Sequence, residues 1–83
     1  MEFPAYRKYK NDLSFFRIDS PEELTELKIM GSRYQVYHIS AKILPERVFI
    51  GDLLNEDLDY CGVISAKEYE EKMEWCKENL RVL

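Results

Sequence analysis

Leu24-Thr25-Glu26-Leu27-Lys28-Ile29-Met30-Gly31-Ser32-Arg33-Tyr34-Gln35-Val36-Tyr37-His38-Ile39 is the stretch that decides the fold. It reads as two strands folded back on each other at Gly31-Ser32. Glycine first in a two-residue connection suits a type II′ turn, whose twist matches that of the flanking strands. Such a turn fixes the register, so paired residue numbers sum to 63. Ile29 then opposes Tyr34, Leu27 opposes Val36 and Thr25 opposes His38 on one face. On the other face Met30 meets Arg33, Lys28 meets Gln35 and Glu26 meets Tyr37. One face is apolar near the turn and the other largely polar, the pattern of a half-buried antiparallel pair. Farther out, Tyr37, Ile39, Ala41 and Ile43 share a parity opposite to that of Tyr34 and Val36. Either a bulge near His38 or a far end covered on both faces accounts for the switch, and the residues leave both open.

Working outward, Phe3 to Lys10 and Leu13 to Asp19 form a first hairpin around Asn11-Asp12, residue types that tolerate the positive φ of a tight turn. Phe16 and Ile18, with Ala5, are assigned to the core. Arg7, Lys8 and Lys10 make the strand a basic edge, and Pro4 fits its start. Ser20-Pro21-Glu22-Glu23 has the signature of a helix start, a Ser cap followed by Pro and then Glu. Because the next residues alternate with period two, one short helical turn followed by strand is expected. Pro45-Glu46-Arg47 opens a second possible helix, but Val48-Phe49-Ile50 favours strand and Gly51 interrupts. Residues 47–54 are accordingly read as a fifth strand in preference to a short helix.

Ser65 and Glu68 make a capping box ahead of a helix in which Tyr69, Met73, Cys76 and Leu80 recur on one stripe, with Ala66 and Leu83 close to it. This stripe is expected to lie across the apolar face of Leu27, Ile29, Tyr34 and Val36. The fold class is therefore α+β: one domain over residues 1–83, an antiparallel sheet of four to five strands in two hairpins, and one C-terminal helix on one face.

Composition bounds the function. The 83 residues carry a net charge of −4, with +1 over residues 1–50 and −5 over residues 51–83. An acidic half disfavours unspecific contact with nucleic acid or anionic membrane through that surface. A hydrophobic content of 46% and eleven aromatic side chains suffice for a core. No apolar run approaches the ~20 residues that span a bilayer, and MEFPAYRKYK lacks the apolar centre of an export signal. A small soluble, cytoplasmic domain is expected. Cys61 and Cys76 lie outside any C-x-x-C motif and are expected to be free thiols, with Cys76 in the core.

Four constellations could carry function. Asp57 to Glu68, DLDYCGVISAKE, resembles the calcium loop of an EF-hand, and the likeness runs on into the helix to Met73. The resemblance implies Asp57, Asp59, Val63 (through its carbonyl), Ser65 and Glu68 as calcium ligands and Gly62 as the turning residue. It departs at the fifth loop position, where Cys61 offers a thiol that suits a hard cation poorly. The ordinary account of these residues is a capping box, a turn glycine and solvated loop acids. His38, Cys61 and Cys76 contain the side-chain types of a zinc site or a Cys–His nucleophilic pair, but at irregular spacing and with no orienting group. No G-x-S-x-G, phosphate-cradling glycine loop or H-E-x-x-H is present, and enzymatic activity, metal and cofactor are not expected.

Tyr6, Tyr9, Phe15 and Tyr37 lie near Arg7, Lys8, Lys10, Arg17 and Arg33, a combination that on one sheet face could stack single-stranded nucleic acid. Strand tyrosines more commonly serve packing. Trp75 sits about 120° from the helix stripe at about 100° per residue, among Glu68, Glu71, Glu78 and Asn79. It either packs against residues 56–62 or anchors a protein partner. Exposed strand edges offer a second contact mode, by β-augmentation or dimerisation.

The tyrosine-rich first strands, the E-L-x-I-M-G-S-x-Y hairpin and the I-L-P-E-R-V segment are similar to a family of small bacterial proteins of no known function; the likeness spans roughly residues 3–55 and implies no activity or site. The functional expectation is a non-enzymatic protein-interaction or regulatory module, monomeric or weakly dimeric. Its contact residues are Trp75, Tyr6, Tyr9 and Tyr37. A calcium-binding loop is the alternative and a nucleic-acid reader the third reading.

Overall fold

A computed structural model describes residues 2–55 and 59–83. The central hairpin pairs β3 (Glu23–Met30) with β4 (Arg33–Ser40), from Met30 opposite Arg33 to Glu23 opposite Ser40 without a slip. Gly31 takes φ +62°, the left-handed conformation that the first position of a II′ turn demands. An uninterrupted register removes the bulge near His38. The parity switch instead marks a change of covered face: Tyr34 is buried in the layer under the helix Ala66–Asn79, whereas Ile39 and Ala41 pack in the layer under the helix Leu44–Leu54, and Val36, His38 and Ser40 stay exposed.

β1 (Ala5–Tyr9) and β2 (Ser14–Ser20) form the first hairpin, with Ala5 opposite Ile18 and Lys8 opposite Phe15. Asp12 adopts φ 59° and donates its N–H to the Tyr9 carbonyl at 3.0 Å. β2 passes directly into β3, and the ladder slips by one residue between Ile18 and Ser20. Ser20-Pro21-Glu22-Glu23 is therefore a chain reversal and not a helical turn. Pro21 fits the second position of a β-turn as well as it fits a helix start, and Ser20 Oγ accepts the Glu22 N–H at 3.1 Å.

Residues 47–54 are not a strand. They belong to α1 (Leu44–Leu54), which has Pro45 in its first turn. The Glu46 carboxylate accepts the Lys42 and Ile43 N–H groups at 3.1 and 3.4 Å, satisfying donors that the helix start leaves over. Ile50 and Leu53 are fully buried and Phe49 and Leu54 partly so, which places four apolar residues on one helical face. Burial of the two inner side chains contributes about 1.5–3 kcal/mol each and outweighs the few tenths by which β-branched residues disfavour helix.

β5 (Cys61–Val63) pairs antiparallel with β1. α2 (Ala66–Asn79) follows, and β6 (Arg81–Val82) pairs parallel with β4. The fold is α+β: among the described residues there are a six-stranded mixed sheet in the order β5-β1-β2-β3-β4-β6 and two helices, one more helix and more strand pairing than the sequence indicated. α1 follows β4 and precedes β5, α2 lies between β5 and β6 in the chain, and their buried residues fall in separate layers, so each covers a different face. Under α1 lie Phe16, Ile18, Leu24, Ile50 and Leu53. Under α2 lie Phe15, Leu27, Tyr34, Tyr69 and Cys76, with Ile29, Met73 and Leu80 at the margin. Val36 and Leu83, assigned to that second layer from the sequence, are 45% and 60% exposed. Met73 reaches only the rim of a groove in which Val36 stays open.

Arg7 does not belong to an exposed basic edge. It is 5% exposed, and its guanidinium donates to the Leu53 carbonyl at 3.0 Å and to the Tyr6 carbonyl at 2.8 Å. α1 has no basic residue in its last turn; Arg7 brings a cation from β1 to the negative end of the helix dipole.

Candidate functional site

α2 is held by its cap and its buried stripe. Ser65 Oγ accepts the Glu68 N–H at 3.0 Å, while the Glu68 carboxylate turns to Lys8 Nζ at 3.5 Å. Tyr69 and Cys76 anchor the inner face, which fixes Trp75 to the flank of the helix. The indole is 45% exposed. Lys72, one helical turn earlier, lays its ammonium 4.3 Å from the indole centroid and 5.8 Å from that of Phe15. A cation over an aromatic face at the surface contributes about 0.5–1 kcal/mol, enough to favour one rotamer of each side chain.

Beside Trp75 an open groove of about 360 Å³ runs between α2 and the first hairpin, lined by Lys8, Asp12, Phe15, Glu68, Glu71, Lys72 and Trp75. Lys8 Nζ contacts Asp12 at 2.7 Å and Glu68 at 3.5 Å. The hydrogen bond that Lys8 donates to Asp12, aided by the charge of both carboxylates and opposed by desolvation, moves the Lys8 ammonium above its ordinary value. The groove thus has an ionic end with carboxylates in excess of Lys8 and an aromatic end under Lys72, a surface for an apolar side chain with a polar neighbour. Among the described residues that line it there is no Ser, Cys or His.

The tyrosines proposed with Trp75 are divided between layers. Tyr6 lies under α2, its ring 5.5 Å from that of Tyr69. Tyr9 lies on the α1 face between Phe16 and Tyr60, at 5.0 and 5.9 Å. Burial raises its phenol, with Glu26 adding to the shift. Tyr37 shares the α1 face, opposite Glu26, and donates its hydroxyl to Gln35 Oε1 at 2.7 Å. Tyr6 therefore cannot join Tyr9 and Tyr37 in one stacking platform, and Arg7 is withdrawn into the core.

Of the residues that resemble a calcium loop, Asp57 lies outside the described residues. Gly62 and Val63 are in β5, opposite Lys8 and Arg7, and Gly62 does not adopt positive φ. Ser65 and Glu68 serve the start of α2. Of residues 56–62, one of the two settings the sequence allows for Trp75, 56–58 lie outside the described residues, and Tyr60 lines a different depression with Tyr9, Lys10 and Asn11. Cys61 and Cys76 are free, buried thiols in the layers under α1 and α2, and His38 stands exposed on β4. The three are not brought together. Among the described residues no three His, Cys, Asp or Glu side chains converge on a point where a metal ion could sit.

The sequence reading placed Trp75 on the flank of α2 but not Lys72 and Phe15 beside it. Lys72 was legible, since residues three apart on a helix are neighbours. Phe15 was not, because it arrives through docking of α2 on β2. Among the described residues no helix is long and apolar enough to cross a membrane. Comparison with models of known protein families, with curated proteins and with solved structures finds no match.

Proposed function

We propose that this chain is a non-enzymatic protein-interaction domain that receives an apolar side chain of a protein partner in the groove between α2 and the first hairpin, with Trp75 as the anchor. The observation that carries the reading is the half-exposed indole, fixed from one side by Lys72 and open on the other. Tryptophan held in a defined rotamer at a groove combines large contact area with little entropy left to lose, the property of residues that dominate interface energies. The ion pairs of Lys8 at the far end supply a polar rim.

The test compares protein capture from source-cell extract by wild type and Trp75→Ala, with thermal unfolding in parallel. Trp75→Ala costs about 1–2 kcal/mol of stability from the covered half of the indole. Loss of the captured protein, with affinity falling at least about 30-fold, supports the reading. Unchanged capture, or destabilisation above about 4 kcal/mol, makes Trp75 a packing residue.

A further inference from the structure

We infer that the free half of the β4 edge pairs with the same edge of a second copy of this chain, joining two six-stranded sheets across a twofold axis. β6 covers β4 only at Arg33 and Tyr34, with Leu83 donating its N–H to the Tyr34 carbonyl at 2.8 Å. Among the described residues no strand lies opposite Val36 to Ser40. Backbone groups alternate in direction along a strand. Since the Tyr34 carbonyl faces outward and the Ala41 N–H faces inward to Glu22, at 2.7 Å, the N–H and C=O of Val36, His38 and Ser40 all point away from β3. Val36, His38 and Ser40 also have exposed side chains.

The stretch Val36-Tyr37-His38-Ile39-Ser40 is built for strand and carries neither Pro nor Lys, the residues by which proteins blunt an open edge. It is also self-complementary in one register. With His38 opposite His38 of the second copy, Val36 meets Ser40 and Tyr37 meets Ile39, so each aromatic gains an aliphatic neighbour across the junction. Moving the register toward the turn sets Ser40 against Tyr34, which β6 already occupies. Moving it the other way runs past Ser40, where the chain leaves the sheet for α1. β6 therefore selects the pairing. The surface is separate from the Trp75 groove, and its failure would leave that reading untouched.

Sedimentation of the full chain over a dilution series tests the inference, with two variants. His38→Pro removes an outward N–H at the centre of the junction and no bond to β3, so the monomer stays folded while self-association weakens by about tenfold or more. His38→Cys places two thiols on the twofold axis with Cα atoms about 5.5 Å apart, within disulfide reach. Mild oxidation should give a covalent dimer, whereas Lys28→Cys, exposed on the neighbouring strand, should not. A monomer at every concentration overturns the inference. So does a dimer indifferent to His38→Pro, or equal cross-linking by the two cysteine variants.

Discussion

Replacing Arg7 by Met should cost about 2–4 kcal/mol, a large loss for a domain of 83 residues. The guanidinium makes hydrogen bonds of 3.0 and 2.8 Å to two main-chain carbonyls, and the one to Leu53 is buried. A bond from a charged donor is worth about 1.5–3 kcal/mol, and a buried carbonyl left without its donor costs about 1–3. Against this stands the desolvation of the cation, which methionine relieves while filling much of the same volume. The bonds win because the freed carbonyls stay in place and α1 loses the cation at its C-terminal end. For a domain of this size the expected fall in Tm is about 10–25 °C. Arg7→Lys keeps the charge and one donor and should cost roughly half as much. Urea unfolding of the three proteins gives the free energies, and amide exchange at Asp52 to Leu54 reports whether the end of α1 opens first. Arg7→Met within about 0.5 kcal/mol of wild type would refute the reasoning, since the guanidinium would then contribute no more than the methionine.

Alkaline solution should destabilise the fold. Burial raises the Tyr69 phenol above its ordinary 10.0, with Arg17 opposing and Asp19 and Tyr6 adding, and burial raises the Cys76 thiol above 9.0 against the pull of Lys72. The folded state then holds protons that the unfolded state releases, so the stabilisation is complete below the unfolded values and is lost as pH rises through the folded ones. Thermal melts above pH about 9 should show Tm falling, and Tyr69→Phe should make the fall shallower. Gly31→Ala meets no atom within 4 Å but forces φ +62° on a side chain, and a loss of about 1–2 kcal/mol in urea unfolding is expected. Calcium titration followed by ¹⁵N–¹H spectra should leave the Gly62 and Val63 amides unshifted, because both residues are committed to the β1–β5 ladder; saturable shifts there would favour the EF-hand reading.

The parts of the fold legible in the sequence are those in which local chemistry and tertiary packing agree. Gly31 fixed the register of the central hairpin, Ser65 started α2, and Phe16, Ile18 and Cys76 lie in the core where their periodicity placed them. From the sequence, residues 47–54 stand between strand and short helix, with strand preferred, because Val48, Phe49 and Ile50 favour strand. Yet Phe49, Ile50, Leu53 and Leu54 already carried the three- and four-residue spacing of a buried helix face. β5 and β6, three and two residues long, are too short to show any period. For the site, the separation of Tyr6 from Tyr9 was readable, since residues three apart on a strand face opposite ways. The burial of Arg7 was not, because only the docking of α1 creates the carbonyl it binds.

The path of the chain across the sheet also has a kinetic consequence. β1 to β4 are sequential neighbours and can pair through short loops, whereas β5 reaches β1 and β6 reaches β4 only after a helix has crossed a face. Early ladders therefore belong to the four-strand meander, and both flanks close late, at a higher cost in loop entropy. Defects in the meander should slow folding, whereas defects in α2, β5 or β6 should chiefly hasten unfolding. Until the flanks close, the whole length of β4 is bare on its outer side. The two residues of β6 thus act as a timer, ending the interval in which a half-folded molecule can pair with another in the wrong register.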